Sequence, residues 1–126
     1  MKQKIFLIGY LGRTVDDLRK IVGKGTLLDI RISPQSRKPG FSKKRLSETF
    51  GDRYEWVYEL GNESSEEGTI QLYDPDIGIE IVKEVYKVTK HHVYLMCACR
   101  DGETCHRATV GALLRQLNYS VEEYGG

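Results

Sequence analysis

Short, almost continuous apolar runs alternate along this chain with longer stretches in which apolar residues recur at helical spacing. The clearest runs are residues 5–8, 26–30 and 92–96. A strand that is apolar on both faces needs cover on both faces, which is typical of parallel sheets flanked by helices. Parallel neighbours also need a crossover connection, so the alternation predicts a series of β-α-β units.

The helices between these runs are predicted from their first turns. Thr14 is a good N-cap followed by acidic residues, and Ser42 can begin a second helix in the same way. Asp74 followed by Pro75 matches an N-cap with proline at the first helical position. A fourth helix is predicted over residues 107–117, after a cysteine-rich segment.

Two further strands complete the predicted sheet. Residues 54–60 alternate well enough for a third strand, whose aromatic residues, Tyr58 among them, would place one face in the core. Residues 120–124 form a short last strand. The prediction is a single α/β domain over residues 1–126, with three layers and a mostly parallel sheet of about five strands covered by helices on both faces.

Charge and composition limit the classes of function. The formal net charge of +1 argues against nonspecific attraction to nucleic acid or to an anionic membrane. No apolar stretch approaches the roughly 20 residues that span a bilayer, so no membrane association is expected. The cysteines all lie within residues 97–105 and do not form a secreted disulfide framework. We therefore expect a cytoplasmic protein whose thiols serve reactivity, metal binding or packing.

The predicted sheet also indicates where a site should form. Ligands of such sheets bind beyond the carboxyl ends of the strands. The first, second and fourth predicted strands end near Gly9, Asp29 and Cys97, and Gly9 is predicted to take part in binding the ligand. Residues that are distant in sequence are therefore expected to converge on one crevice.

Residues 97–107, the cysteine loop, connect the fourth strand to the last helix. The positive end of a helix dipole makes such a loop receptive to anions and lowers the pKa of a thiol. Its reactive side chains are two thiols, two guanidinium groups and an imidazole: Cys99, Cys105, Arg100, Arg107 and His106. Either thiol is predicted to act as a nucleophile, either arginine to hold an anionic group, and the imidazole to move a proton.

The same loop admits other interpretations. Cys97, Cys99, Cys105 and His106 are enough donors for a tetrahedral zinc ion, although their spacing is not the usual one. A disulfide between Cys99 and Cys105 would make a redox switch. Cys97 alone also fits a purely structural role, because a buried cysteine behaves as a small hydrophobe. The leading hypothesis assigns no metal and no cofactor.

A second polar segment follows the second strand. Asp29 ends an apolar run, where an unpaired carboxylate is costly, so a partner is expected. Arg31 either pairs with it or points to a ligand anion. Ser36 and Arg37 lie on the following loop, where they suit a phosphate group or a nucleic-acid backbone. The alternative is that Asp29 caps a turn and the loop cations are simply solvated.

These segments resemble a known family. The matching elements are Ile8-Gly9-Tyr10, Asp29-x-Arg31-x-x-Pro34-x-Ser36-Arg37 with Phe41, Tyr58-x-Leu60-Gly61, and Cys97-x-Cys99-x5-Cys105-His106-Arg107. With them the chain resembles, over nearly its whole length, the bacterial and archaeal family called domain of unknown function 488. Family members often carry histidine and serine after the first-strand glycine. This chain has Tyr10 and Leu11 there, so no role of that histidine is carried over.

The resemblance implies an α/β fold and a shared site, but no particular reaction, because the biochemistry of the family is not established. The implied site comprises Asp29, Arg31, Ser36, Arg37, Cys99, Cys105, His106 and Arg107. Whether the protein is an enzyme is left open.

The leading hypothesis is a crevice that binds, or acts on, a small anionic ligand containing phosphate, a nucleotide or sulfur. In its enzymatic form, a thiol-dependent hydrolase or transferase, Arg31 and Arg107 stabilise charge. Asp29 or His106 then handles protons. The alternatives are a nucleic-acid-binding module that uses the exposed cations of residues 37–45, and a zinc or redox-sensing domain without catalysis.

Overall fold

The computed structural model describes residues 2–64, 66, 68–98 and 105–125. Strands alternate with helices along the chain, as the apolar runs predicted. In order, the elements are β1 (Ile5–Gly9), α1 (Val15–Val22), β2 (Thr26–Asp29), α2 (Lys43–Phe50), β3 (Tyr54–Trp56), α3 (Pro75–Thr89), β4 (Val93–Cys97), α4 (His106–Gln116) and β5 (Val121–Glu123). None of the described helices has the length and apolar character needed to cross a membrane.

The five strands form one sheet in the order β3-β2-β4-β1-β5, and every neighbouring pair is parallel. The central strand, β4, is buried at each of its positions, in agreement with its apolar run. Its register places Cys97 beside Gly9 of β1 and Met96 beside Asp29 of β2. The carboxyl ends of β1, β2 and β4 therefore lie side by side.

Two apolar clusters lie on opposite faces of the sheet and give the three predicted layers. One cluster packs α1 and α2 against the sheet and contains the helix residues Leu18, Val22, Leu46 and Phe50. The other packs α3 and α4 and contains Ile79, Val82, Val110 and Leu114. The α/β prediction is confirmed, and the sheet is parallel throughout the described residues.

The predicted helix starts are confirmed by their hydrogen bonds. The Thr14 hydroxyl accepts from the backbone of Asp17, whose carboxylate accepts in return from the Thr14 backbone. The Ser42 hydroxyl caps α2 in the same way. The Asp74 carboxylate caps α3, with Pro75 as its first residue.

The third strand is shorter than predicted. It ends at Trp56, and Tyr58–Leu60 form a turn of 3-10 helix instead of continuing the strand. The turn places Leu60 in the core against α3, at the point where Gly78 has no side chain. As a result Tyr58 is 39% exposed, and its predicted place on a buried face is wrong. The alternation of residues 54–60 favours a strand on local grounds alone. The packing of Leu60 against α3 is a tertiary contact, and it decides which of these side chains is buried.

The connections open a crevice at the carboxyl edge of the sheet. The chain leaves β1 and β2 towards the face covered by α1 and α2, but it leaves β4 towards the face covered by α4. Because β4 lies between β1 and β2, the connections diverge on either side of it. Ligands of open α/β sheets bind where neighbouring connections diverge in this way.

Candidate functional site

A cavity of about 240 Å³ occupies this position, and we call it the crevice. It is lined by Tyr10, Arg31, Ile32, Ser33, Gln35, Asn62, Ala98 and His106. Three of the lining residues follow the ends of β1, β2 and β4, so the structure brings the predicted segments together. A larger hollow, of about 570 Å³, lies between the ends of α1 and α2. None of the predicted site residues lines it, so the crevice is the better candidate.

Asp29 and Arg31 form a buried ion pair beneath the crevice. One carboxylate oxygen of Asp29 accepts from the backbone N and from Nε of Arg31, at 3.2 and 2.7 Å. The other accepts from Arg31 Nη2 and from the Tyr54 hydroxyl, both at 2.6 Å. Asp29 is 0% exposed and Arg31 is 6% exposed, so the geometry is rigid. The partner expected for Asp29 is therefore Arg31, aided by Tyr54.

Burial and this ion pair change the acid–base properties of the groups involved. Burial alone would lower the pKa of Arg31, but the hydrogen bonds and the charge of Asp29 raise it above its ordinary value. Burial, followed by the hydrogen bond to Asp29, also raises the pKa of Tyr54. Both groups therefore keep their protons, and Asp29 serves to hold Arg31 in place.

Tyr10 connects Arg31 to the loop that follows β2. Nη1 of Arg31 donates to the Tyr10 hydroxyl over 3.4 Å, and that hydroxyl donates to Ser36 Oγ over 3.3 Å. Ser36 Oγ also accepts from the backbone N of Lys38. The Lys38 ammonium group in turn donates to the Tyr10 carbonyl. Ser36 therefore positions Tyr10 and the loop, and it does not line the crevice.

Positive charge surrounds the Tyr10 ring. The Arg31 guanidinium lies 5.3 Å from the ring centroid and the Lys38 ammonium 6.0 Å from it. Nε of Arg13 donates to the carbonyl of Gly9, at the end of β1. Arg37, also predicted to bind a ligand, is exposed and is not among the described residues that line the crevice.

His106, the first residue of α4, forms the opposite wall of the crevice. Its Nε2 lies 2.7 Å from the carbonyl oxygen of Ile30, which can only accept a hydrogen bond. Nε2 therefore carries a hydrogen, and in the tautomer with that single N–H the other ring nitrogen, Nδ1, is an acceptor. Nδ1 lies 3.5 Å from Sγ of Cys105. The imidazole is thus oriented to take a proton from the Cys105 thiol.

Two sulfur atoms lie behind His106. Cys97 and Cys105 are 1% and 2% exposed, and their Sγ atoms are 2.9 Å apart. Arg107 donates from Nη1 to Cys97 Sγ over 3.0 Å and pairs with Glu123 at 2.6 Å. The hydrogen bond to Cys97, and then burial, raise the pKa of Cys105 to about 11. At neutral pH Cys105 is therefore a protonated thiol, whose single hydrogen can be donated to Cys97 Sγ or to His106 Nδ1.

Some predicted site residues line the crevice and others do not. Arg31 and His106 line it, with Asp29 directly behind Arg31. Cys105 contacts His106 from inside the core, and the described contacts of Arg107 are with Cys97 and Glu123. Of the remaining predicted residues, Gly9 ends β1 and its carbonyl accepts from Arg13, whereas Cys99 and Arg100 lie outside the described residues. The zinc interpretation relied partly on Cys99, and the described residues contain no group of three or more metal-binding side chains.

Six polar residues of the site were not chosen from the sequence for the roles they have here: Tyr10, Ser33, Gln35, Tyr54, Asn62 and Glu123. Tyr10 could have been chosen from the sequence, because it directly follows the first predicted strand. Tyr54 reaches Asp29 from the neighbouring strand, and this contact follows only once β2 and β3 are known to pair. Glu123 lies on the edge strand, where an acidic residue is usually just solvated, so no sequence signal distinguishes it.

Comparison with known proteins gave a single result. No solved structure and no protein with a curated description is significantly similar to the chain. The family model described as Domain of unknown function DUF488 matches residues 11–114. The match includes Asp29, Arg31, Cys105, His106 and Arg107, and it covers most of the chain. The protein therefore belongs to the DUF488 family.

Proposed function

We propose that the crevice binds a small anionic ligand, one that contains phosphate, a nucleotide or sulfur, and that an adjacent thiol can act on it. The observation that carries the proposal is the clamped guanidinium of Arg31, which is buried yet lines the crevice. A guanidinium has five N–H donors. Among the described contacts, two of them go to Asp29 and one to Tyr10, which leaves donors for a ligand.

The surroundings of Arg31 favour an anion over a neutral ligand. Asp29 neutralises one charge, but Lys38 and Arg13 add two more around the end of β1. The helix dipole of α4, which begins at His106, adds partial positive charge on the opposite wall. A cavity of about 240 Å³ is smaller than the usual drug-sized pocket, and it suits a phosphate- or sulfate-sized group with a short substituent.

In the enzymatic form of the proposal, Cys105 is the nucleophile and His106 its base. The Cys105 sulfur lies behind His106 and not on the crevice lining, so it attacks a ligand group that enters past that side chain. Nδ1 of His106 takes the thiol proton, and the resulting thiolate forms a bond to the phosphorus or sulfur atom of the ligand while the bond from that atom to its leaving group breaks. The leaving group takes the proton from His106, Arg31 stabilises the charge that develops, and water or a second acceptor then cleaves the bond to Cys105. The Ile30 carbonyl orients the imidazole. Cys99, which lies outside the described residues, is the second candidate nucleophile. The reaction would be that of a thiol-dependent hydrolase or transferase, in the cytoplasm, where thiols stay reduced.

Anion titration of matched variants tests the binding proposal. Phosphate, sulfate, thiosulfate and a nucleoside monophosphate are each titrated into the protein, and binding is followed by calorimetry and by the change in Tm. Arg31→Lys keeps the charge but loses the planar fork, so we expect affinity to fall at least about tenfold. Arg37→Gln is the control, because Arg37 is exposed and does not line the crevice.

Two results would contradict the binding proposal. One is the absence of binding of all four anions at millimolar concentration. The other is equal affinity in wild type and Arg31→Lys. A single-stranded oligonucleotide, titrated at two salt concentrations, tests the alternative, because binding to a nucleic-acid backbone weakens steeply with salt.

Cysteine labelling tests the thiol chemistry. The rate of alkylation of Cys105 is measured at neutral pH with and without a bound anion, in wild type and in His106→Gln. We expect a bound anion to change the rate in wild type, and His106→Gln to lower it because the proton acceptor is lost. Equally slow labelling under all conditions would exclude Cys105 as the nucleophile.

A further inference from the structure

We propose that Cys97 and Cys105 form a redox couple, which hydrogen peroxide oxidises to a disulfide with Cys97 as the attacking sulfur and Cys105 as the resolving sulfur. The inference does not depend on the anion-binding proposal, because it concerns two core sulfurs that do not line the crevice.

The two sulfurs are already placed for a bond. Their Sγ atoms are 2.9 Å apart, closer than two sulfur atoms in ordinary van der Waals contact. Cys97 ends β4, and Cys105 is the N-cap residue of α4, so both are held by regular elements. A disulfide bond of about 2.05 Å needs the sulfurs to approach by less than about 1 Å.

The environment assigns different roles to the two sulfurs. Cys97 Sγ accepts from the Arg107 guanidinium, which Glu123 holds in place, and from the Cys105 thiol. Two donors, one of them cationic, stabilise negative charge on Cys97. Cys105 keeps its proton and faces His106. The nucleophilic thiolate is therefore Cys97, and the thiol that completes the disulfide is Cys105.

Burial determines which oxidant can react. Both cysteines are at most 2% exposed, so the sulfur of a bulky disulfide cannot approach either of them in line. Hydrogen peroxide is small and uncharged, and it reaches core thiolates through minor fluctuations of the surrounding side chains.

The oxidation balances in two steps. The Cys97 thiolate attacks one peroxide oxygen, so that an S–O bond forms, the O–O bond breaks and hydroxide leaves, with a sulfenic acid on Cys97. The Cys105 sulfur then attacks Cys97, the S–S bond forms, and the S–O bond breaks. The departing hydroxide combines with the thiol proton of Cys105 as water. Two electrons pass from the cysteines to the peroxide.

The disulfide would be sensed at the crevice. Oxidation removes the negative charge that Arg107 contacts and the thiol that faces Nδ1 of His106. Because His106 lines the crevice, the redox state of the couple is transmitted to that wall.

Peptide mapping of a Cys99→Ser variant tests the couple. Trypsin cleaves after Lys90, Arg100 and Arg107, so Cys97 and Cys105 fall on separate peptides. In this variant a disulfide between residues 91–100 and 101–107 can only join Cys97 to Cys105. After brief treatment with peroxide and alkylation under denaturing conditions, we expect this linked pair. We expect it to form at least about tenfold faster in the folded variant than in the same variant in urea.

A double variant that carries Cys99→Ser and Cys105→Ser tests the order of the steps, because it leaves Cys97 as the only thiol. Without the resolving thiol, peroxide should leave a sulfenic acid on Cys97 that a dimedone-type reagent traps. Trp56 fluorescence and circular dichroism confirm that each variant is folded. The proposal is overturned if the folded Cys99→Ser variant forms no linked pair, or forms it no faster than the unfolded chain. The assignment of roles is overturned if the reagent traps no sulfenic acid on Cys97 in the variant that lacks Cys99 and Cys105, but traps one on Cys105 in a variant that carries Cys97→Ser and Cys99→Ser.

Discussion

Replacing Asp29 by asparagine should destabilise the fold far more than the loss of one charge at the surface. The carboxylate accepts four hydrogen bonds, three from Arg31 and one from Tyr54, and it is completely buried. An amide nitrogen cannot accept from Arg31 Nη2 or from the Tyr54 hydroxyl, and it leaves the buried guanidinium without its counter-charge. Breaking one side of a buried ion pair costs about 3–5 kcal/mol, and we expect a loss of that size.

Urea unfolding measures this loss directly. Trp56 is the only tryptophan, and its Nε1 donates to the Arg31 carbonyl, so its fluorescence reports on this part of the fold. Asp16→Asn is the matched control, since Asp16 pairs with Arg19 on the surface and is 75% exposed. The control should leave the free energy of unfolding unchanged. A loss below about 1 kcal/mol for Asp29→Asn would refute the idea that this carboxylate holds the site together.

A double-mutant cycle with Tyr54 sharpens the test. Tyr54→Phe removes one hydrogen bond to the charged carboxylate, which should cost about 1.5–3 kcal/mol. Asp29→Asn already breaks that bond, so the double variant should lose less than the sum of the two single losses. Additive losses would mean that Tyr54 and Asp29 do not act through their contact.

Three further predictions concern other parts of the molecule. The hydrogen bond to Cys97, and then burial, raise the pKa of Cys105 from 9.0 to about 11, so the folded chain keeps a proton that the unfolded chain releases. The contribution of Cys105 to the free energy of unfolding should therefore fall as the pH rises from 9 to 11. The rate at which Cys105 is alkylated, followed by mass spectrometry, should keep rising to about pH 11. Gly78→Ala should lower the free energy of unfolding by about 1–3 kcal/mol, because a methyl group there meets the buried Leu60; an unchanged urea midpoint would contradict this. Ser42→Ala should cost about 1 kcal/mol in the same assay through loss of the α2 cap, and no loss would show that the cap is dispensable.

Local rules predicted most of the fold. The caps at Thr14, Ser42 and Asp74 depend on residues within one helical turn, so the sequence around each is sufficient. Apolar runs predicted parallel strands because cover on both faces leaves no polar alternation. The prediction of a strand over residues 57–60 was wrong because a contact distant in sequence decides their structure. Their pattern permits a strand, but the packing of Leu60 against α3 requires a turn.

It was also predictable that Arg31 and His106 would lie at the same edge of the sheet, although the order of the strands was not predictable. In a parallel sheet all carboxyl ends share one edge, so residues that follow different strands are brought to the same side. That β2 and β4 are direct neighbours depends on the order of the whole sheet. This adjacency allows His106 Nε2 to reach the Ile30 carbonyl and so orients the imidazole.

Two buried arginines, Arg31 and Arg107, show what decides whether the role of a residue can be predicted from the sequence. Arg31 has its carboxylate two residues away, so the sequence offered the pair as one of two roles for Arg31 and indicated its place at a strand end. Arg107 has its carboxylate on Glu123 of β5, the edge strand, and only the tertiary structure shows that they meet. Cys97, which the sequence assigned equally well to packing, gains a cationic neighbour through that arrangement. The chemistry of a residue is therefore predictable when its charge partner is local in sequence, and it depends on the complete fold when the partner is not.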